Sequence, residues 1–112
     1  MDNEPLCIKS IRELKKHWQE HVCIEGRYEL VNLSHRQNKV ITGDQAMIVL
    51  PGGAVFLGVG KKAHRDAEEI RRFRGLRVQA VGTAVQHSTL LNEGASPVGP
   101  ALTDIMRIES VQ

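Results

Sequence analysis

Aromatic side chains are scarce: Trp18, Tyr28, Phe56 and Phe73 are the only ones in 112 residues. So few rings leave little to build a base-stacking surface, on which single-strand nucleic-acid binders rely. Cysteine is nearly absent as well. Cys7 and Cys23 make neither a disulfide framework nor a zinc site by themselves, and the expectation is a reduced, cytoplasmic protein. No apolar run approaches the roughly 20 residues of a membrane span, so no membrane association is expected. The opening MDNEPLCIKS lacks a basic n-region and an apolar h-region, so no signal peptide is expected either. Charge of one sign is also missing. A net charge of +2 excludes the strong electrostatic bias of histone-like proteins. There is no internal repeat and no low-complexity tract, and the length suits one domain with a single core, 1–112.

What the chain does have is a hairpin. Gln45 to Val59, QAMIVLPGGAVFLGV, is two apolar runs on either side of Pro51-Gly52-Gly53. Proline pre-sets φ for a turn corner and glycine supplies positive φ. The flanking runs have strand length and strand composition.

The other segments arrange themselves around it. Ser10 with Glu13 three residues on is a capping box, and Ile11, Leu14 and Trp18 form one apolar stripe of a short N-terminal helix. From Val22 the period becomes two: Val22, Ile24, Gly26, Tyr28 and Leu30 share a face, with Gly26 marking a bulge or sharp coil. Residues 32–44 are polar and read as a long connection. Asp66 and Glu69 repeat the capping-box spacing before a second helix, whose acidic start (Glu68, Glu69) and basic end (Arg71, Arg72, Arg74) suit the helix dipole. Leu76 to Gln86 is a strand with a second bulge hint at Gly82. His87 to Pro100 is a second long loop, and Ala101 to Val111 a final strand. Val22, Ile24, Ile48, Leu50, Val55, Leu57, Val78, Ala80 and Ile108 are the expected barrel lining.

Five strands with a helix between the third and fourth is the order of an OB-fold, a five-stranded Greek-key barrel. The fold class is therefore all-β with short helices, an N-terminal helical extension over 1–20 and the barrel over 21–111. The glycine-marked first strand, the L-P-G-G-x-V hairpin and E-E-I-x-x-F-x-G-L-x-V-x-A-x-G-T together resemble the small stand-alone bacterial OB-fold proteins, over residues 20–111. The resemblance specifies a fold, and OB-folds bind nucleic acids, sugars and proteins alike.

Two short motifs invite chemistry and fail on context. His17-Trp18-Gln19-Glu20-His21 matches H-x-x-E-H, which on a helix sets two histidines on one face for zinc. A third ligand is missing, with Glu93 the nearest candidate in type, and no metal site is expected. Gly58 to Ala63 matches G-x-G-x-x-A, without the βαβ unit and ribose-binding acid of a dinucleotide site. Ser88 beside His87 is no activated nucleophile. No enzymatic activity and no cofactor are expected.

The reading that remains is a non-enzymatic binding module whose partner is a protein, as an adaptor or an immunity-type inhibitor of a bacterial toxin. Its expected contacts are His35, Arg36 and Lys39 in the first long loop, and His87, Asn92 and Glu93 in the second. Tyr28 and Phe56 on the sheet complete the set. Both loops are expected at one end of the barrel, within reach of a single partner. The alternative is a binder of single-stranded DNA or RNA, using Arg36, Lys39, Tyr28 and Phe56. The arginines around the second helix, with Lys61, Lys62, His64 and Arg65, read as a solvated basic helix end.

Overall fold

The computed structural model describes residues 7–32, 44–58, 65–86 and 99–111. Its elements are β1 (Cys7–Ile8), α1 (Ile11–Leu14), β2 (His21–Asn32), β3 (Asp44–Leu50), β4 (Gly53–Leu57), α2 (Ala67–Phe73), β5 (Arg77–Val85) and β6 (Ala101–Ser110). Strands β2 to β6 close into a five-stranded OB-like barrel. The circuit is β2–β3–β4–β6–β5 and back to β2. Every neighbouring pair is antiparallel except β4 with β6, which meet in parallel at Phe56–Ala101 and Leu57–Leu102.

β2 closes the barrel because it is long enough to serve two neighbours. Its first half pairs with β5 and its second half with β3, and Arg27 is paired on both sides. The strand must coil sharply there, and Gly26 allows it. A Cβ at that position would run into the carbonyl oxygen of Val49 and lie 2.7 Å from Cγ2 of Ile48, so the backbones approach only because no side chain intervenes. Near Gly82 the irregularity is a true bulge, but the extra residues belong to β6. Val81 faces Arg107 and Thr83 faces Thr103, and Asp104 takes a left-handed φ of 49°.

The hairpin forms as its sequence dictates. Leu50 pairs with Gly53, leaving Pro51-Gly52 as a two-residue turn with φ of 96° at Gly52. Strand alternation sends Ile48, Leu50, Val55 and Leu57 inward, where they meet Val22, Ile24, Val78 and Ala80, all buried. Ile108, expected in the lining, is half-buried and packs against this core from its margin.

The N-terminal segment departs from expectation in two ways. The helix stops after Leu14 rather than running to Trp18. The cause lies downstream: the Gln19 N–H donates to the Ala84 carbonyl at 2.6 Å, and the Ala84 N–H donates back to Glu20 at 2.9 Å. These bonds draw residues 19–20 into the β5 ladder before β2 begins. Leu14 is still fully buried, and Ile11 and Trp18 still pack on the core. The Ile11 N–H donates to the Pro51 carbonyl at 2.9 Å, so α1 sits on the hairpin turn. The second departure is β1, which pairs in parallel with β2, Cys7 beside Cys23 and Ile8 beside Ile24. The two cysteines form a disulfide, with Cα atoms 4.3 Å apart. The expectation of two reduced thiols is corrected here. Strand pairing brings together two residues that their sequence spacing leaves unrelated. No helix among the described residues is long and apolar enough to cross a membrane.

Candidate functional site

An OB barrel presents ligands to the outer surface of its second and third strands and to the loops beside them. Here those strands are β3 and β4. Because Ile48, Leu50, Val55 and Leu57 point inward, the alternate residues Met47, Val49, Ala54 and Phe56 point outward, each half-buried. Cross-strand register pairs Met47 with Phe56 and Val49 with Ala54. Continuing onto β2, Glu29 stands beside Met47 and Arg27 beside Val49. These two close the margin as an ion pair, the Arg27 Nε donating to Glu29 Oε2 at 2.7 Å. The result is an apolar patch with a charge-neutral rim. Further along β3, Gln45 is buried, and its Oε1 accepts no hydrogen bond among the described residues.

The strand ends fix where the long connections leave this surface. Residues 33–43 depart from Asn32 and return at Asp44. Residues 87–98 depart beyond Val85 and return ahead of Ala101, whose ladder partner on β4 is Phe56. The two connections themselves, and with them the expectation that both sit at one end of the barrel, lie outside the described residues. His35, Arg36, Lys39, His87, Asn92 and Glu93 lie outside the described residues, as do Lys61, Lys62 and His64.

Tyr28 is a second correction. It shares the inward face of β2 and is 0% exposed, so its ring offers no outer platform to a base or a partner. The ring lies 6.1 Å from that of Phe73, and the hydroxyl donates to Glu69 Oε2 at 2.8 Å. Glu69 also accepts from Arg65, Nε at 2.8 Å and Nη2 at 2.7 Å. Burial alone would lift the Glu69 carboxyl, but the hydrogen bonds from Arg65 and Tyr28 outweigh it and hold the group below its ordinary value. Burial and the bond to Glu69 push the Tyr28 phenol well above its ordinary range. With three donors committed to it, Glu69 fastens α2 to the barrel. Sequence spacing pairs Asp66 with Glu69 as a capping box: Asp66 does cap the helix, accepting from the Glu68 N–H at 3.2 Å, while the Glu69 carboxylate turns to Arg65 and Tyr28.

The described arginines around α2 are mostly engaged in the same way. Arg71 pairs with Glu68 at 3.1 Å and Arg77 with Glu25 at 2.8 Å. Glu25 also accepts from Gln79 at 2.9 Å. The Gln79 bond, opposed by burial and seconded by Arg77 and Lys9, holds Glu25 below its ordinary value. The helical premise of the H-x-x-E-H string is absent. His21 begins β2, and His17 Nδ1 is 2.9 Å from Glu20 Oε1 in the turn before it.

Phe56 is thus the one expected sheet contact that the structure places outward. Met47, Val49 and Ala54 join it, and strand parity was the signal that could have found them: each alternates with an inward residue. No family model, no curated protein and no solved structure matches the chain.

Proposed function

We propose that this chain is a non-enzymatic OB-fold binding module that recognises a partner protein across the β3–β4 surface and the two connections flanking it. The observation that carries the reading is the chemistry of that surface. Met47, Val49, Ala54 and Phe56 are apolar, and the adjoining cation, Arg27, is already neutralised by Glu29. Binding single-stranded nucleic acid uses aromatic rings worth roughly 1–3 kcal/mol per stacked base, together with cations that displace counterions. Among the described residues this face offers one ring. An apolar centre inside a polar rim is what protein recognition uses. Within this reading, the resemblance to small bacterial OB-fold proteins points to an adaptor or an immunity-type inhibitor of a toxin. The proposed location moves away from the cytoplasm, since a Cys7–Cys23 bond fits an oxidising compartment.

A photo-crosslinking amino acid placed at Phe56 in the native host tests this. A discrete protein adduct that is absent when the crosslinker sits at exposed Lys16, and lost in Met47→Asp, is the expected result. Fluorescent DNA and RNA oligomers titrated at low and physiological salt give the opposing test. Sub-micromolar, salt-dependent binding (below roughly 1 μM) that weakens in Phe56→Ala and Arg36→Ala would replace the protein partner with a nucleic acid.

A further inference from the structure

The Cys7–Cys23 bond lies outside the closed circuit of the barrel. β1 is the terminal strand of the sheet, and the ring β2–β3–β4–β6–β5 completes itself without it. Two register pairs tie β1 to β2, and β3 joins β2 only from Arg27 onward. Among the described residues, the disulfide and the side chain of Ile8, 1% exposed, add to that hold. The next anchors along the chain, the Ile11 N–H on Pro51 and the buried Leu14, belong to α1.

The two cysteines are unequally accessible. Cys7 is half-buried, whereas Cys23 is 2% exposed. Thiol–disulfide exchange depends on which sulfur a thiolate can reach, and exposed bonds are the labile ones. Lys9, two residues beyond Cys7, is exposed. Glu25, two residues beyond Cys23, is buried, and its oxygens accept from Arg77 and Gln79. The approach to Cys7 thus shows a cation, with the acid of the same row turned to its own donors. That setting suits an incoming thiolate.

We propose that Cys7 is a site of thiol–disulfide exchange with a low-molecular-weight thiol, and that exchange there releases β1 from the barrel. The thiolate attacks Sγ of Cys7 and forms a mixed disulfide. The Cys7–Cys23 bond breaks, its electron pair stays on Sγ of Cys23, and that sulfur takes a proton from water. A second thiol then attacks the mixed disulfide, leaving Cys7 reduced and the two small thiols joined as the oxidised product. Without the covalent bond, β1 keeps a two-residue ladder and one buried side chain. So few contacts place it at the low end of the range over which proteins open locally. Its release bares the β2 edge at Cys23 and Ile24, while β5 holds the other edge of both residues through Val81 and Ala80. The closed and open forms therefore share one barrel.

Reduced glutathione is the probe, added at neutral pH to the oxidised full chain, first without denaturant and then with urea well below the unfolding midpoint. Peptide mapping after an acid quench is expected to find glutathione on Cys7 and a free thiol on Cys23. The rate should scale with glutathione concentration and change less than about twofold across that urea range, because local access exposes little new surface. With the probe present, amide exchange at residues 7–10 should quicken roughly tenfold or more, while residues 77–85 stay protected and circular dichroism shows the barrel retained. Glutathione found on Cys23, or no adduct on Cys7, overturns the proposal. So does a rate that climbs with urea as steeply as global unfolding, or a thiolated chain whose residues 7–10 exchange no faster than before.

Discussion

Removing the Cys7–Cys23 bond should cost this barrel a large part of its stability. The bond closes a loop with a sequence separation of 16. On the chain-entropy account, a loop of that length restricts the unfolded state by about 3 kcal/mol at 25 °C. Against the 5–15 kcal/mol of an ordinary domain, that is a substantial fraction. With an unfolding entropy of roughly 2.1 cal/mol/K per residue, the melting temperature should fall by about 13 °C. The loss should start locally. β1 has only two residues of ladder to hold it, while α1 leans on the hairpin through the bond from Ile11 to Pro51. Urea unfolding followed with and without reductant supplies the comparison, with a Cys7→Ala, Cys23→Ala variant as control. The reduced wild type and the double variant should share one lowered midpoint, and amide exchange at Ile11 should quicken in both. Two findings would refute the reasoning: alkylation of both cysteines in the native, unreduced protein, or a stability change below about 0.5 kcal/mol, the range of ordinary surface sites.

Leu50→Ala empties a site that is 4% exposed inside the barrel and should cost roughly 2–5 kcal/mol in urea denaturation. Tyr28→Phe deletes a bond to an ionised acceptor, which is worth roughly 1.5–3 kcal/mol. In a double-mutant cycle with Glu69→Gln, the two changes should couple by at least about 0.5 kcal/mol, and an additive result would dissolve the link between α2 and β2. Glu69 and Glu25 both titrate below the ordinary value of 4.5 when folded. The unfolded chain then takes up protons first, so their stabilisation is complete above that value and is lost as pH falls through it and below. Unfolding midpoints measured from neutral to acid pH should show this decline, less steeply in Glu25→Gln. Tyr28 has the opposite sign: its phenol is raised, so its contribution persists below pH 10.0 and is lost as the unfolded chain ionises above it.

Strand parity carried most of the fold. β2 alternates apolar and polar residues from Ile24 to Leu30, and the turn at Pro51-Gly52 ties the register of the two apolar runs β3 and β4, so the barrel is legible from Val22 onward. What escaped was non-local. Nothing in the spacing of Cys7 and Cys23 says that β1 lies beside β2. Ser10 and Glu13 announced a helix, and the Glu13 N–H does donate to Ser10 Oγ at 3.2 Å. No local signal says that Ala84 ends it early by capturing residues 19–20. The candidate face suffered from the same blindness. Tyr28 is an aromatic on a strand, and its parity with Val22 and Ile24 places it inside. Met47 and Val49 give no outward signal of their own in the sequence, because an apolar residue in a hairpin reads as core until its neighbour is known to be buried.

The walls of the barrel differ in how far their chemistry is already spent. On the outer face of β2 and β5, Glu25 holds Arg77 and Gln79 in a closed polar network, and the disulfide covers the neighbouring row. Against the barrel, α2 is committed through Arg65, Glu69 and Tyr28. α1 sits on the hairpin turn. The outer surface of β3 and β4 carries no such internal partners among the described residues: its apolar side chains gain only what they bury against one another and against the strand beneath. Burial of apolar area is worth roughly 25 cal/mol per Å² wherever it occurs, so this is the wall where a partner can still add to it.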